Sequence, residues 1–350
     1  MRLNIKTKVT ALAMAGLFIL AVAGCSKKPE SDAAAPRTEI SFAVLSVEQS
    51  QNLSKFWAPL FADMEKQTGL KVKPFYSNSY TAMIEAMRFN QIQAGWFSNV
   101  PGLEAMRRAE GEVFVRTTYA NGRDGYNSLI IVPATSTLTL DKLLACDKTL
   151  NFGMGDVKST SGTLAPLAFL FLPHNIDPNT CFKTVRSASH QANFEAVSAG
   201  IVDAATNNST ALDEISQTQP DKLKKVKILW TSPLLPNDVM EYRKDLDPVT
   251  KEKLRSFFLT YGTGTGPEAD REREILKNLQ WGPLKPDDNS HFLTVRMMEA
   301  SAELQMARNK KDEAGIKAAQ AKMAEVAAEQ AEKASPQAPV GMAASSMPNS

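Results

Sequence analysis

Apolar side chains at Leu53, Phe56, Trp57, Leu60, Phe61 and Met64 recur every three or four residues, which predicts one helix that stops at Gly69. Glu39–Ser46 before it and Leu70–Tyr76 after it read as strands. Helical spacing returns over Tyr80–Phe89 (Met83, Ile84, Met87), followed by a strand at Gln93–Phe97. Strands at Val113–Tyr119 and Tyr126–Val132 flank a turn signal, Asn121-Gly122. The same alternation then repeats. Helices are predicted at Leu140–Ala145, Thr163–Leu172, Gln191–Ala199 and Thr210–Ile215, with strands at Thr149–Gly153, Lys183–Ser187, Ile201–Thr206 and Val226–Thr231 between and after them. Asp247-Pro248 opens a last helix of this series, Val249–Tyr261, with Asp as cap and Pro at its first position. Strand–helix alternation implies an α/β fold with parallel-rich sheets covered on both faces, and such sheets bind ligands beyond the carboxyl ends of their strands.

Both ends of the chain break the pattern. Arg296–Lys333 is rich in Ala, Glu, Lys, Gln and Met, a helical composition, with Lys310–Glu313 as a turn and Gly315 as an interruption. This extension offers a face to a lobe or to a second copy in a homodimer. Residues 336–350 are Ala/Ser/Pro/Met-rich without period, and disorder is expected there. At the other end, Arg2, Lys6 and Lys8 precede an apolar stretch, Val9–Ala23, that is short for a membrane span. It ends in Val22-Ala23-Gly24-Cys25, which looks like a lipobox: residues 1–24 would be a lipoprotein signal peptide, Cys25 the acylated residue and 25–38 a polar tether. An ordinary secretory peptide is the other reading. Removing residues 1–24 takes away three positive charges and no negative ones, so the formal net charge falls from +2 to −1. Nucleic-acid binding therefore has no support.

With Cys25 acylated, Cys146 and Cys181 remain, in a chain bound for an oxidising space. A disulfide between them is expected; two buried thiols are the alternative. Chemistry concentrates in Asn151–Gly162, NFGMGDVKSTSG. A strand end runs through a glycine turn into Ser159-Thr160-Ser161-Gly162 and then into a helix. A helix N-terminus flanked by hydroxyls receives anions, although Ser or Thr at such a place also serves as a plain N-cap. The spacing is not that of a nucleotide-binding P-loop. Catalysis finds no footing. His174, His190 and His291 lack metal spacing, no serine elbow occurs, and the cysteines are not in C-x-x-C order. No metal or cofactor is implied.

Several segments carry a family resemblance. Tyr80–Asn90 with Ala94-Gly95-Trp96-Phe97, Asp156–Gly162, Asp203–Asn208, Ser232–Asp238 and Arg243–Leu246 stand in the order found in the phosphonate-binding proteins of ABC importers, and the similarity covers roughly Glu39 to Met298. The resemblance implies a type II periplasmic binding protein fold. Two α/β lobes are joined by two crossover hinge strands, placed near Ile131–Thr135 and Pro236–Arg243. Lobe 1 is then 39–132 and 243–300, lobe 2 is 133–236, and 301–335 is the C-terminal helical extension. It also implies an exported, membrane-anchored protein that binds a phosphonate, phosphite or phosphate between its lobes and works with permease and ATPase subunits.

The family's ligand contacts map onto this chain. Ser159, Thr160 and Ser161 would hold the phosphonate oxygens, Tyr80 would donate to them from the other lobe, and His190 would contact the anion. Tyr126 would face the organic side, and Asp238 would bond a polar or cationic group. One position departs: Thr210 stands where members suited to aminoethylphosphonate carry Glu. A hydroxyl cannot neutralise an ammonium, so an amine-free ligand is expected unless Glu241, three residues past Asp238, compensates. A sensor or adhesin-like lipoprotein on the same fold is the alternative function, because Ser26 after the acylated cysteine permits sorting away from an importer.

Overall fold

A computed structural model describes residues 36–45 and 53–334. The expected signal peptide, Cys25, the expected tether up to residue 35 and the tail 336–350 lie outside the described residues. Among those described, two sheets organise the chain. The first takes β1 (Glu39–Leu45), β2 (Lys71–Ser77), β3 (Ala94–Phe97) and β4 (Gly111–Arg116), separated by α1 (Leu53–Thr68), α2 (Tyr80–Arg88) and α3 (Asn99–Arg108). The chain then leaves it for β5 (Ser128–Pro133), α4 (Leu140–Leu144), β6 (Asn151–Met154), a long helical segment, α5 (Pro178–Cys181), β7 (Thr184–Ser187), α6 (His190–Ser198), β8 (Ala204–Asn208), α7 (Ser209–Thr218), α8 (Pro220–Leu223) and β9 (Val226–Thr231). It returns through β10 (Val239–Arg243), α9 (Pro248–Thr260), α10 (Pro267–Asn278) and β11 (Lys285–Pro286), and finishes on α11 (Leu293–Lys310) and α12 (Glu313–Ala334).

The strand orders are β11-β4-β10-β3-β1-β2 and β7-β6-β8-β5-β9. Parallel pairs β1–β2, β1–β3, β6–β7 and β6–β8 are joined by helices, as parallel pairs must be. β10 and β5 run antiparallel to their neighbours. Apolar residues of α1, α9 and α10 bury one face of the first sheet (Trp57, Leu60, Phe258, Leu276), and α2, α3 and α11 bury the other (Met83, Leu103, Val295). Phe152, Phe171 and Phe182 centre the core on one face of the second sheet, with Phe194 and Val197 on its other face.

β5 belongs to the second sheet, so the first crossing lies over residues 117–127 rather than at Ile131–Thr135. The second lies over residues 232–238, because β10 is already in the first sheet. The continuous apolar run after Asn127 hid this boundary: both the crossing and the buried strand read as extended chain. The crossings pair with each other, Tyr126 N donating to Leu235 O at 3.1 Å and Leu235 N to Tyr126 O at 2.7 Å. The turn at Lys310–Glu313 forms, with Lys311 at φ 55 ending α11, but Gly315 sits inside α12 rather than interrupting it.

α3 is invisible to hydrophobic periodicity because Pro101 and Gly102 stand in its first turn. Proline costs little there, since its N–H would have no helical partner. Gly102 is required by packing. A Cβ there would come within 2.3 Å of Glu241 Oε1, and one at Gly111 within 2.3 Å of Oε2. Glu241 is thus sealed into lobe 1, fully buried, with neither carboxylate oxygen hydrogen bonded. It cannot compensate for Thr210, because it faces α3 and Phe292 inside the core. Burial pushes its carboxyl well above the usual range, so the folded protein holds this proton more tightly than the unfolded chain. Its contribution is therefore favourable below the unfolded carboxylate pKa of about 4.3 and is lost as pH rises through the raised folded value. Denaturant midpoints measured from pH 5 to pH 9 should fall more steeply for the wild type than for Glu241→Gln; parallel curves would contradict the assignment.

Candidate functional site

Between β6 and α5 the backbone makes an unusual helix. Wide π turns at Thr160–Leu164 and Leu167–Phe171 and a 3-10 turn at Leu172–His174 follow one another. Pro166 explains much of this. It has no N–H to give to Gly162 O four residues back, and that carbonyl instead accepts from Gly155 N at 2.9 Å and Thr206 Oγ1 at 2.9 Å. Ala165 N reaches past Ser161 to Thr160 O, and Ser161 O is taken by Ser128 Oγ at 2.6 Å. The first turn is therefore bolted to β5 and β8, which are rigid strands of the second sheet. Gly155 and Gly162 touch back to back: a Cβ on Gly155 would lie 2.5 Å from Gly162 Cα.

This bolting presents the hydroxyls. Ser159 Oγ caps the helix by accepting from Gly162 N at 2.9 Å. His190 Nε2 lies 3.2 Å from Ser161 Oγ and 3.4 Å from Ser159 Oγ. Asn208 Nδ2 donates to Ser161 Oγ at 3.3 Å, and Asn207 Nδ2 to His190 O at 2.9 Å. Ser159, Ser161, His190, Asn207 and Asn208 are all buried. The first amides of the helix have no carbonyl partner within it, so the assembly is a donor-rich end with the positive pole of the helix dipole behind it. Tyr80, first residue of α2 in the opposite lobe, closes the space. A cavity of about 120 Å³ is lined by Asn78, Tyr80, Gly155, Ser159, His190 and their neighbours.

Thr160 does something else with its hydroxyl: Oγ1 accepts from Val100 N of α3 at 2.8 Å. Tyr126 is buried on the first crossing. Burial, then the negative charge of Asp238, then the nearby phenols of Tyr119 and Tyr80 push its pKa far up, while a hydrogen bond with Asn99 opposes them. It stays a phenol donor at any physiological pH. A second, smaller chamber of about 40 Å³ lies among Thr210, Glu214, Asp238, Tyr119 and the indoles Trp96 and Trp281. Thr210 Oγ1 and Tyr119 OH are 2.9 Å apart.

All eight sequence-predicted residues are thus placed. Tyr80, Ser159 and His190 line the first cavity, Ser161 Oγ lies beside His190 Nε2, and Thr210 and Asp238 line the second; Tyr126 lines neither, but its phenol feels the charge of Asp238. Thr160 points its hydroxyl across the lobes. The sequence reading missed Asn78, Tyr119, Glu214 and the whole of α3. Glu214 had a signal: it stands four residues after Thr210 on α7, hence on the same helical face. Cys146 and Cys181 form the expected disulfide, 35 residues apart in sequence.

Residues 42–292 match the family model described as "ABC transporter, phosphonate, periplasmic substrate-binding protein". The chain is 38% identical over 273 residues to the phosphonates-binding periplasmic protein of Escherichia coli K12, covering 78% of this chain and 79% of that one. It is 26% identical over 262 residues to the phosphate-import protein PhnD of Mycolicibacterium smegmatis, covering 71% and 80%. Among solved structures, the binding component of an ABC phosphonate transporter from Pseudomonas aeruginosa superposes with a TM-score of 0.80 at 36% identity, over 85% of this chain and 99% of that one.

Proposed function

The chain belongs to the family of periplasmic substrate-binding proteins of phosphonate ABC transporters, and on that premise we propose that it captures a phosphonate or related small phosphorus oxyanion between its lobes for delivery to a membrane permease. This family is one of transport proteins, not of enzymes. The observation that carries the ligand reading is the meeting of Ser159 and His190 with Tyr80 of the opposite lobe in one cavity, Ser161 Oγ standing beside the His190 ring at the same helix start. Neutral donors on a helix end suit an anion that must later be released, since no arginine cage has to be broken. In this reading Ser159 and Ser161 give hydroxyls, Thr160 gives its backbone N–H, Tyr80 and Tyr126 give phenols, and His190 adds its ring nitrogen. Export followed by acylation at Cys25 would tether the protein to a membrane, and pairing of two copies through the C-terminal helices is part of the same proposal. Among the described residues no helix is long and apolar enough to cross a bilayer.

The smaller chamber bears on the tail of the ligand. The expectation of an amine-free ligand rests on Thr210 standing where members suited to aminoethylphosphonate carry Glu. Asp238 and Glu214 both line the chamber with Thr210, together with the aromatic residues Trp57, Trp96 and Trp281. Carboxylates and aromatic faces together favour a cation. Calorimetric titration with 2-aminoethylphosphonate, methylphosphonate, phosphite and phosphate tests both ends. All four should bind, with the amine compound about tenfold tighter than methylphosphonate, a gain of about 1.4 kcal/mol. Tighter binding of methylphosphonate would favour the amine-free expectation, and no binding by any of them would remove the oxyanion site.

A further inference from the structure

The N-terminus of α3 is capped from the wrong lobe. Ser98 occupies the N-cap position with extended backbone, φ −77 and ψ 167, yet its side chain makes no capping bond. Its hydroxyl is buried and has no hydrogen-bond partner. A capping serine bonds the second or third amide of its helix. Here the third residue is Pro101, which has no N–H, so Val100 is the one donor Ser98 can serve. Val100 N is instead bound to Thr160 Oγ1, at 2.8 Å, both residues being buried. Lys158, two residues before Thr160, pairs with Glu104, four residues and one turn after Val100. The stretch that begins the anion-binding helix therefore docks at two points along one face of α3. Leu164, Ala165 and Phe169 pack apolar surface against the same lobe 1 core.

We propose that lobe closure is a cap exchange: Val100 N–H is held by Ser98 when the lobes are apart and passes to Thr160 when they meet. One donor and two acceptors, only one of which can be used at a time, make a two-state element. Thr160 acts on the ligand through this contact as a positioning residue, since its hydroxyl holds the anion-binding turn against the opposite lobe. Leaving Ser98 unpaired in the closed form costs free energy, which offsets part of what the contacts between the lobes contribute. A ligand then shifts the balance with a modest binding free energy. The exchange itself does not depend on the ligand being a phosphonate; its effect on affinity rests on the function proposed above.

Two substitutions have opposite expected effects. Thr160→Val removes the closed-state acceptor and keeps the shape, so the open form gains. Ser98→Ala removes the open-state acceptor, so the closed form gains. Small-angle scattering of the ligand-free full chain should give a larger radius of gyration than wild type for Thr160→Val and a smaller one for Ser98→Ala, with Thr160→Ser restoring the wild-type value. In stopped-flow binding of methylphosphonate, Thr160→Val should raise the dissociation rate about tenfold, the scale of one buried hydrogen bond, with little change in association. Ser98→Ala should lower the dissociation rate about fivefold, the scale of one helix cap. A merely structural role would move both variants the same way. Shifts in the same direction, or no shift in scattering for either variant, would overturn the exchange. Failure of the wild type to bind any phosphorus oxyanion would instead overturn the ligand reading and leave the scattering result intact.

Discussion

Ser161→Asp should abolish the proposed phosphonate capture, with Kd rising at least a hundredfold, about 2.7 kcal/mol, while the protein remains folded. The argument starts from position. Ser161 Oγ is buried, receives a hydrogen bond from Asn208 Nδ2 at 3.3 Å and lies 3.2 Å from His190 Nε2. An aspartate there keeps both neighbours as partners, so folding has little reason to fail. It also sets a negative charge at the mouth of a helix whose positive end is the proposed receptor, and a second anion brought within about 4 Å meets about 4 kcal/mol of repulsion at an effective dielectric of 20. Ser161→Ala separates charge from the loss of a donor. It removes one hydrogen bond to a charged group, about 1.5–3 kcal/mol, and should weaken binding by about tenfold to a hundredfold without eliminating it. Calorimetric titration of both variants with methylphosphonate, beside their melting curves, checks the pair. Wild-type affinity in Ser161→Asp would mean that the ligand sits elsewhere.

Loss of the Cys146–Cys181 bond is the second large effect expected. The bridge closes a loop across 35 residues that holds β6, the Ser159–Gly162 turn and the helical segment after it. By the chain-entropy relation such a loop contributes about 4 kcal/mol, acting chiefly on the unfolded chain. Cys181 is buried with Phe152, Phe171 and Phe182, so serine there adds an unpaired hydroxyl to an aromatic core. Cys146→Ala with Cys181→Ala avoids that complication. The double variant should melt roughly 8 °C below the wild type or more, given about 2 °C per kcal/mol for a chain of this size. Dithiothreitol should reproduce the loss in the wild type and leave the double variant unchanged. Ligand affinity should change less than about threefold, because Ser159 and Ser161 are held by Gly162, Asn208 and His190 rather than by the bridge. A wild type indifferent to reductant would show that the bridge carries no stability.

Much of the fold is local and was therefore legible. Helices such as α1 bury one face of a 3.6-residue pattern, and strands such as β6 and β8 end in glycine or asparagine turns, so their order announces an α/β chain. The run Ser159–Gly162 announces a donor-rich helix start for the same reason, since capping chemistry is written within four residues. Strand registers, by contrast, depend on partners far away in sequence. β5 and the crossing before it are one extended stretch to a local reading, and only pairing with β8 and β9 assigns Ser128–Pro133 to lobe 2.

What the sequence determined by itself was the kind of protein: alternating elements, a hydroxyl-lined helix end, the pair Cys146 and Cys181, and motif order sufficient to mark a family. Tertiary structure alone decided the rest. It sent Glu241 into the core rather than the site, set Glu214 beside Thr210 and Asp238, and turned the Thr160 hydroxyl from a ligand donor into an acceptor for the far lobe. The physical reason is common to all three. A side chain's chemical type is local, but the partner that fixes its charge or hydrogen bond is chosen by packing between segments tens of residues apart.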